Sequence, residues 1–113
     1  MIALDKFIDE IDGEVLTKGV NPSAVKIEDG YVCDLLSDVM GNALENQVWI
    51  TIMRHLNVIA VASLTGIPAV IFPKGIIPES AVSEKAEEEG ICLVSSDLSS
   101  FEIAGKLFKI LGK

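Results

Sequence analysis

A single histidine, His55, and only two cysteines in 113 residues leave several kinds of chemistry without their parts. Serine and cysteine triads and zinc sites draw on histidine or clustered cysteine, so most of that repertoire is excluded. Cys33 and Cys92 form no C-x-x-C pair and each lies in an apolar run, so both are expected as buried, reduced thiols. Long apolar stretches are missing as well. The longest, Val58–Ala62, falls far short of the ~20 residues that cross a bilayer. Bases are the minority charge, nine against 17 acids, and a formal net charge of −8 opposes binding to nucleic acid polymers or acidic membrane surfaces. The opening MIALDKFIDEID carries acids where a secretion signal has a basic region and then an apolar stretch, so a cytoplasmic protein is expected. The phosphate-gripping signatures G-x-x-x-x-G-K-[ST] and G-x-G-x-x-G are both absent, and no metal or other cofactor is implied.

What is present is apolar: half of the residues. That fraction, at this length, predicts one domain over residues 1–113 with a well-buried core. Leu4, Phe7, Ile8 and Ile11 recur with helical spacing over 3–12, and Gly13 ends that helix. Glu14–Thr17 is a short strand, followed by turn chemistry over Gly19–Ser23. Lys26–Glu28 and Tyr31–Cys33 read as short strands around an Asp29-Gly30 turn or crossing. Asp34 is placed to cap a helix carrying Leu35, Leu36, Val39, Met40, Ala43 and Leu44. VWITI, residues 48–52, is a β-branched strand. Asn57 then serves as N-cap and Gly66 as terminator of a short helix, Val58–Leu64, that is apolar on nearly every side.

The last third is the plainest. PAVIF (68–72) and ICLV (91–94) read as buried strands, and Val82 and Ala86 face inward from a helix over 79–89, with Pro78 at its start and Gly90 at its end. EKAEEEG is that helix's solvated side. Ser99 and Glu102 form a capping box for a final helix with a stripe of Phe101, Ala104, Leu107, Phe108 and Leu111. Apolar strands without alternation, separated by helices, imply an α/β fold: a mostly parallel sheet with helices on both faces.

In such a sheet ligands bind outside the carboxyl ends of the strands. That edge would hold Arg54, His55 and Asn57 after VWITI, Lys74 after PAVIF, and Ser96 and Asp97 after ICLV. Three basic groups beside helix N-termini, in a chain otherwise acidic, suit a small phosphorylated ligand or nucleotide. Asp34, Asp38 and Asp97 are a weaker set for a divalent metal, and Tyr31 and Trp49 read as core or interface aromatics.

The stretch GIPAVIFPKGIIPESAVSEKAEEEGICLVSSDLSSFEIAGKL, residues 66–107, resembles the DRTGG domain family and is similar to the N-terminal domain of HPr kinase/phosphorylase. The likeness extends back through residues 31–66 and more faintly to the first helix. Where the family has Asp-Arg-Thr-Gly-Gly, this chain has Met53-Arg54-His55-Leu56-Asn57, and only Arg54 matches. The resemblance implies a stand-alone accessory domain of a regulatory or ligand-sensing kind. The lack of a triad, metal site or P-loop favours a non-catalytic module that binds a small anionic metabolite or nucleotide and acts through a protein partner. Two other readings stay open: an oligomeric assembly protein without a ligand, and a small enzyme using His55 as general base with Arg54 or Lys74 as electrostatic stabiliser. A homo-oligomer is expected, because so small a domain leaves much surface for its apolar excess.

Overall fold

In the computed structural model, which describes residues 1–113, the chain begins with a short strand β1 (Ile2–Ala3) and helix α1 (Leu4–Glu10). Strands β2 (Glu14–Val15), β3 (Lys26–Ile27) and β4 (Asp29–Val32) follow. Then strand and helix alternate: α2 (Leu36–Asn42), β5 (Gln47–Ile50), α3 (Leu56–Thr65), β6 (Ala69–Phe72), α4 (Ser80–Glu89), β7 (Cys92–Ser95) and α5 (Ser100–Ile110). The main sheet has the order β2-β7-β6-β5-β4; β4 to β7 are parallel and β2 is an antiparallel edge.

The expected α/β sheet with helices on both faces is what forms. Its strands are buried throughout at β5, β6 and β7. Successive side chains of a strand point to opposite faces, so each strand feeds two cores. Val48, Ile50, Ala69, Ile71, Cys92 and Val94 pack with α1 and α5. Trp49, Val70, Phe72 and Leu93 pack with α2, α3 and α4 on the other side. Because β4 to β7 are neighbours in chain order, the three helices that connect them share one face. Only the step from β7 into α5 changes face.

Several local expectations hold. Gly66 and Gly90 end α3 and α4 in the left-handed conformation, Val82 and Ala86 are the buried residues of α4, and the Ser99–Glu102 capping box is complete. Others need correction. Lys26–Val32 is no hairpin: β3 pairs with β1 in a separate two-stranded sheet, and Asp29 and Gly30 lie inside β4. Gly30 serves close packing rather than a turn, since a Cβ there would stand 2.6 Å from Leu107 Cδ2 on α5. Asp34 does not cap α2, whose N-cap is Leu35, and Asn57 does not cap α3, whose N-cap is His55. Pro78 precedes the N-cap of α4, Glu79, instead of lying in its first turn.

Amphipathic stripes were the least legible feature. On α2 only Val39 is buried, while Leu35, Met40 and Leu44 face solvent. On α3, Leu64 is exposed. On α5 the buried pair is Ile103 and Leu107, and Phe101 and Phe108 point outward. The expected pair of buried thiols is one: Cys92 is fully buried, and Cys33, just past the end of β4, is half-buried.

Candidate functional site

Parallel pairing puts the ends of β4, β5, β6 and β7, and hence the N-termini of α2, α3, α4 and α5, along one edge. Asp34 organises that edge. Its Oδ1 accepts from Thr51 Oγ1 at 2.7 Å and from the Ile52 N–H at 2.9 Å, and Thr51 Oγ1 in turn accepts from the Met53 N–H at 3.1 Å. The carboxylate thus ties the loop leaving β5 to the loop leaving β4 and sets where Arg54 and His55 emerge. Both are exposed.

Arg54, His55 and Leu56 form one wall of a cleft of about 360 Å³, and Ile77, Glu79 and the first turn of α4 form the other. This volume lies at the small end of the range for small-molecule sites, about 300–1,000 Å³. Neither α3 nor α4 has a side chain bonded to its N-terminal N–H groups. Two positive helix ends therefore open on the same cleft as Arg54 and His55. Glu79 is the opposing charge within it.

Lys74 and Asp97 stand apart from this cleft, toward β7. Pro73, Lys74, Gly75 and Ile76 make a turn closed by the Ile76 N–H to the Pro73 carbonyl at 3.2 Å, with Lys74 and Gly75 both at positive φ, 61° and 69°. For lysine this conformation costs roughly 1–2 kcal/mol relative to the right-handed region. The turn is held by Lys74 N–H to the Leu98 carbonyl and Gly75 N–H to the Ser96 carbonyl, each at 2.9 Å. The positive φ favours glycine at position 75, and a Cβ there would also lie 3.0 Å from Asp97 Oδ1 and push that exposed carboxylate aside. Ser96 is buried, and its hydroxyl donates to the Ile11 carbonyl at 2.7 Å and accepts from the Leu98 N–H at 3.2 Å. Its side chain is committed to the fold. Asn57 is exposed in the first turn of α3.

Asp34 and Asp38 do not converge with Asp97, and no three His, Cys, Asp or Glu side chains are grouped to hold a metal. Asp38 instead belongs to a local cluster at α2. Its Oδ2 accepts from Tyr31 Oη at 2.6 Å and from Cys33 Sγ at 3.3 Å, and its Oδ1 accepts from Asn42 Nδ2 at 3.2 Å. The Tyr31 bond, with Cys33 second, holds the Asp38 carboxyl below the usual carboxylate range. The same bond pushes the Tyr31 phenol up to about 12. Trp49 is fully buried and donates Nε1–H to the Cys33 carbonyl at 2.9 Å.

Sequence reasoning missed the organising role of Asp34 and the presence of Glu79 in the cleft. The order Pro78-Glu79-Ser80 at a helix start is a usable signal for the second. Nothing local in the sequence pairs Asp34 with Thr51, which is 17 residues away.

No family model matches the chain, and no curated protein matches it. Among solved structures, the fold is similar to the CBS and DRTGG domains of the regulatory region of Clostridium perfringens pyrophosphatase, crystallised with the activator diadenosine tetraphosphate. The TM-score is 0.70 at 15% identity, covering 93% of this chain and 45% of that one. The chain therefore spans less than half the length of that regulatory region, and its fold is related to the CBS/DRTGG fold found there.

Proposed function

We propose that residues 1–113 form one DRTGG-like domain that works as a non-catalytic regulatory module. It binds a small anionic metabolite or nucleotide at the carboxyl edge of its sheet and acts through a protein partner, as a homo-oligomer. The observation that carries this reading is the meeting of two uncapped helix N-termini, those of α3 and α4, with Arg54 and His55 around one cleft. Backbone N–H groups and a guanidinium are the donors a phosphate takes. That the similar regulatory region was crystallised with a nucleotide activator agrees with a nucleotide here.

Calorimetric titration with a panel of nucleotides and phosphorylated metabolites tests the reading. A charge-assisted bond to phosphate is worth roughly 1.5–3 kcal/mol, so Arg54→Ala should weaken the best ligand about ten- to a hundredfold. Lys74 lies at the same edge but outside the cleft, so Lys74→Gly, which removes a positive charge and suits the turn better than lysine does, should lower affinity less than Arg54→Ala while holding or raising thermal stability. If no compound binds the wild type, or the best one binds both variants equally well, the site is wrong. The second reading, an assembly protein without a ligand, would then take its place; the outward Phe101 and Phe108 favour it.

A further inference from the structure

Helix α5 satisfies the fold with one face and leaves a second apolar face uncovered. Ile103 and Leu107 are buried against the sheet, yet Phe101 and Phe108 are 87% and 60% exposed. Seven residues are almost two full turns, so both rings project from the same side of the helix. Between them lie Ala104 and Gly105, and a Cβ on Gly105 would meet nothing within 4 Å. The outer face is thus a saddle with an aromatic at each end and the smallest residues in the middle. On one flank it continues into a mostly apolar groove of about 190 Å³ where Val32, Ile50, Ala104, Phe108 and Leu111 meet beside the edge strand β4, with the Asp29–Lys113 ion pair also lining it.

The geometry points to a second copy of this chain as the occupant, with the two α5 helices packed antiparallel across a two-fold axis that passes between Ala104 and Gly105. Phe101 and Phe108 lie equally far from that point, so each Phe101 meets the other copy's Phe108, and the small residues at the crossing allow helix axes about 8 Å apart. The charges agree. Glu102, Lys106 and Lys109 occupy one flank of the saddle. A two-fold axis of this kind brings the same flank of both copies together and sets each Glu102 at the height between the other copy's Lys106 and Lys109. Opposite charges meet, and this lysine-bearing helix is a region where a chain of net charge −8 can approach itself. The area is adequate as well. At their exposures, two phenylalanines from each copy supply on the order of 600 Å², given about 150–250 Å² per buried aromatic. That is half of the roughly 1,200 Å² at which stable specific interfaces begin, and Val32, Leu111, Ala104 and the lysine stems adjoin the rings to provide the rest.

This interface rests on the homo-oligomer reading above and is independent of the ligand reading. Light scattering on a size-exclusion column should give twice the 12.1 kDa chain mass for the wild type. Phe101→Glu/Phe108→Glu should raise the dimer dissociation constant at least a hundredfold while leaving the far-ultraviolet circular dichroism unchanged, since both rings are largely exposed in the single chain. Under a mild added oxidant, Gly105→Cys should cross-link into dimers well above the wild-type background, and Lys85→Cys on α4 should not. A monomeric wild type overturns both the oligomer reading and the interface. A dimer that survives the double substitution, or that cross-links equally through Lys85→Cys, overturns the interface alone.

Discussion

The helices that follow the parallel strands begin along the same edge of the sheet, and they begin differently. At α5, Ser99 Oγ accepts from the Glu102 N–H and Glu102 Oε1 accepts from the Ser99 N–H, both at 3.1 Å, so the chain's own side chains close that terminus. At α2 a carboxylate, Asp38, sits in the first turn and is fixed there by Tyr31, Cys33 and Asn42. At α3 and α4 no side chain satisfies the first N–H groups. Every helix start leaves such donors over, so what distinguishes these four is what each offers them. Only α5 is supplied from within; α2, α3 and α4 have no side-chain cap bond, and of these α3 and α4 face one cleft together with Arg54. The proposed anion site is this shared opening, and substitutions at the individual helix starts test it.

The largest effect should come from the edge itself. Asp34→Ala removes an ionised acceptor from Thr51 Oγ1 and the Ile52 N–H, and bonds to charged groups are worth roughly 1.5–3 kcal/mol. Because Asp34 is exposed, a loss near the lower end, about 2 kcal/mol in urea unfolding, is expected. Asp34→Asn keeps an acceptor and should lose less than half as much. A change within about 0.5 kcal/mol for Asp34→Ala would show that this carboxylate does not set the loop that carries Arg54 and His55.

Next comes the closed terminus. Ser99→Ala should cost about 1 kcal/mol of stability, the usual value for an N-cap hydroxyl. Anion affinity should not change, because the bonds it breaks lie within α5. If titration showed instead that Ser99→Ala alters ligand binding as much as Arg54→Ala does, the contrast between capped and open termini would lose its functional meaning.

That capping box was legible in the sequence, and the Asp34 link was not, for a physical reason. A capping box is made by residues three apart, as are the Gly66 and Gly90 terminators by their own backbone needs. The buried strands were equally plain, since Val-Trp-Ile, Ala-Val-Ile-Phe and Cys-Leu-Val have no polar side chain to place in water. Asn57 and Asp34 looked like caps by residue type, but a cap depends on where the loop delivers the backbone, and that is set by pairing between distant strands. Similarly, Phe101 and Phe108 fall on a helical stripe that periodicity assigns to the core; periodicity finds an apolar face without saying whether this chain or another covers it. At the cleft, residue chemistry and strand-end topology brought Arg54 and His55 together, whereas Lys74, Ser96 and Asp97 belong to the neighbouring pair of loops.

The α2 terminus gives a spectroscopic comparison, read in the alkaline range. Tyr31 is the only tyrosine, so tyrosinate absorbance reports it alone. Its midpoint should lie near 12 instead of the ordinary 10, because ionising the phenol gives up the hydrogen bond it donates to Asp38 and then places a second anion against that carboxylate. The sign follows from linkage. A folded-state value above the unfolded one means the bond contributes fully below pH 10 and is lost as pH rises toward 12. Asp38→Asn should return the midpoint toward 10. A wild-type midpoint already at 10 would mean that the first turn of α2 is not held as described.

The smallest effect sharpens the comparison most, because one substitution should move stability and binding in opposite directions. Glu79 is the N-cap residue of α4 and lines the cleft, though its side chain makes no cap bond. A negative charge at a helix start is worth about 0.3–1 kcal/mol through the macrodipole, so Glu79→Gln should lower stability by a few tenths of a kcal/mol. In the cleft the same charge repels an anion across solvent, an interaction of similar size. Removing it should tighten a phosphorylated ligand about two- to fivefold. Both shifts should shrink together as salt is raised, since both are electrostatic and exposed. Weaker binding by Glu79→Gln would mean that the carboxylate takes part in holding the ligand, and the cleft would then suit a ligand with a donor or cationic group better than a bare phosphate.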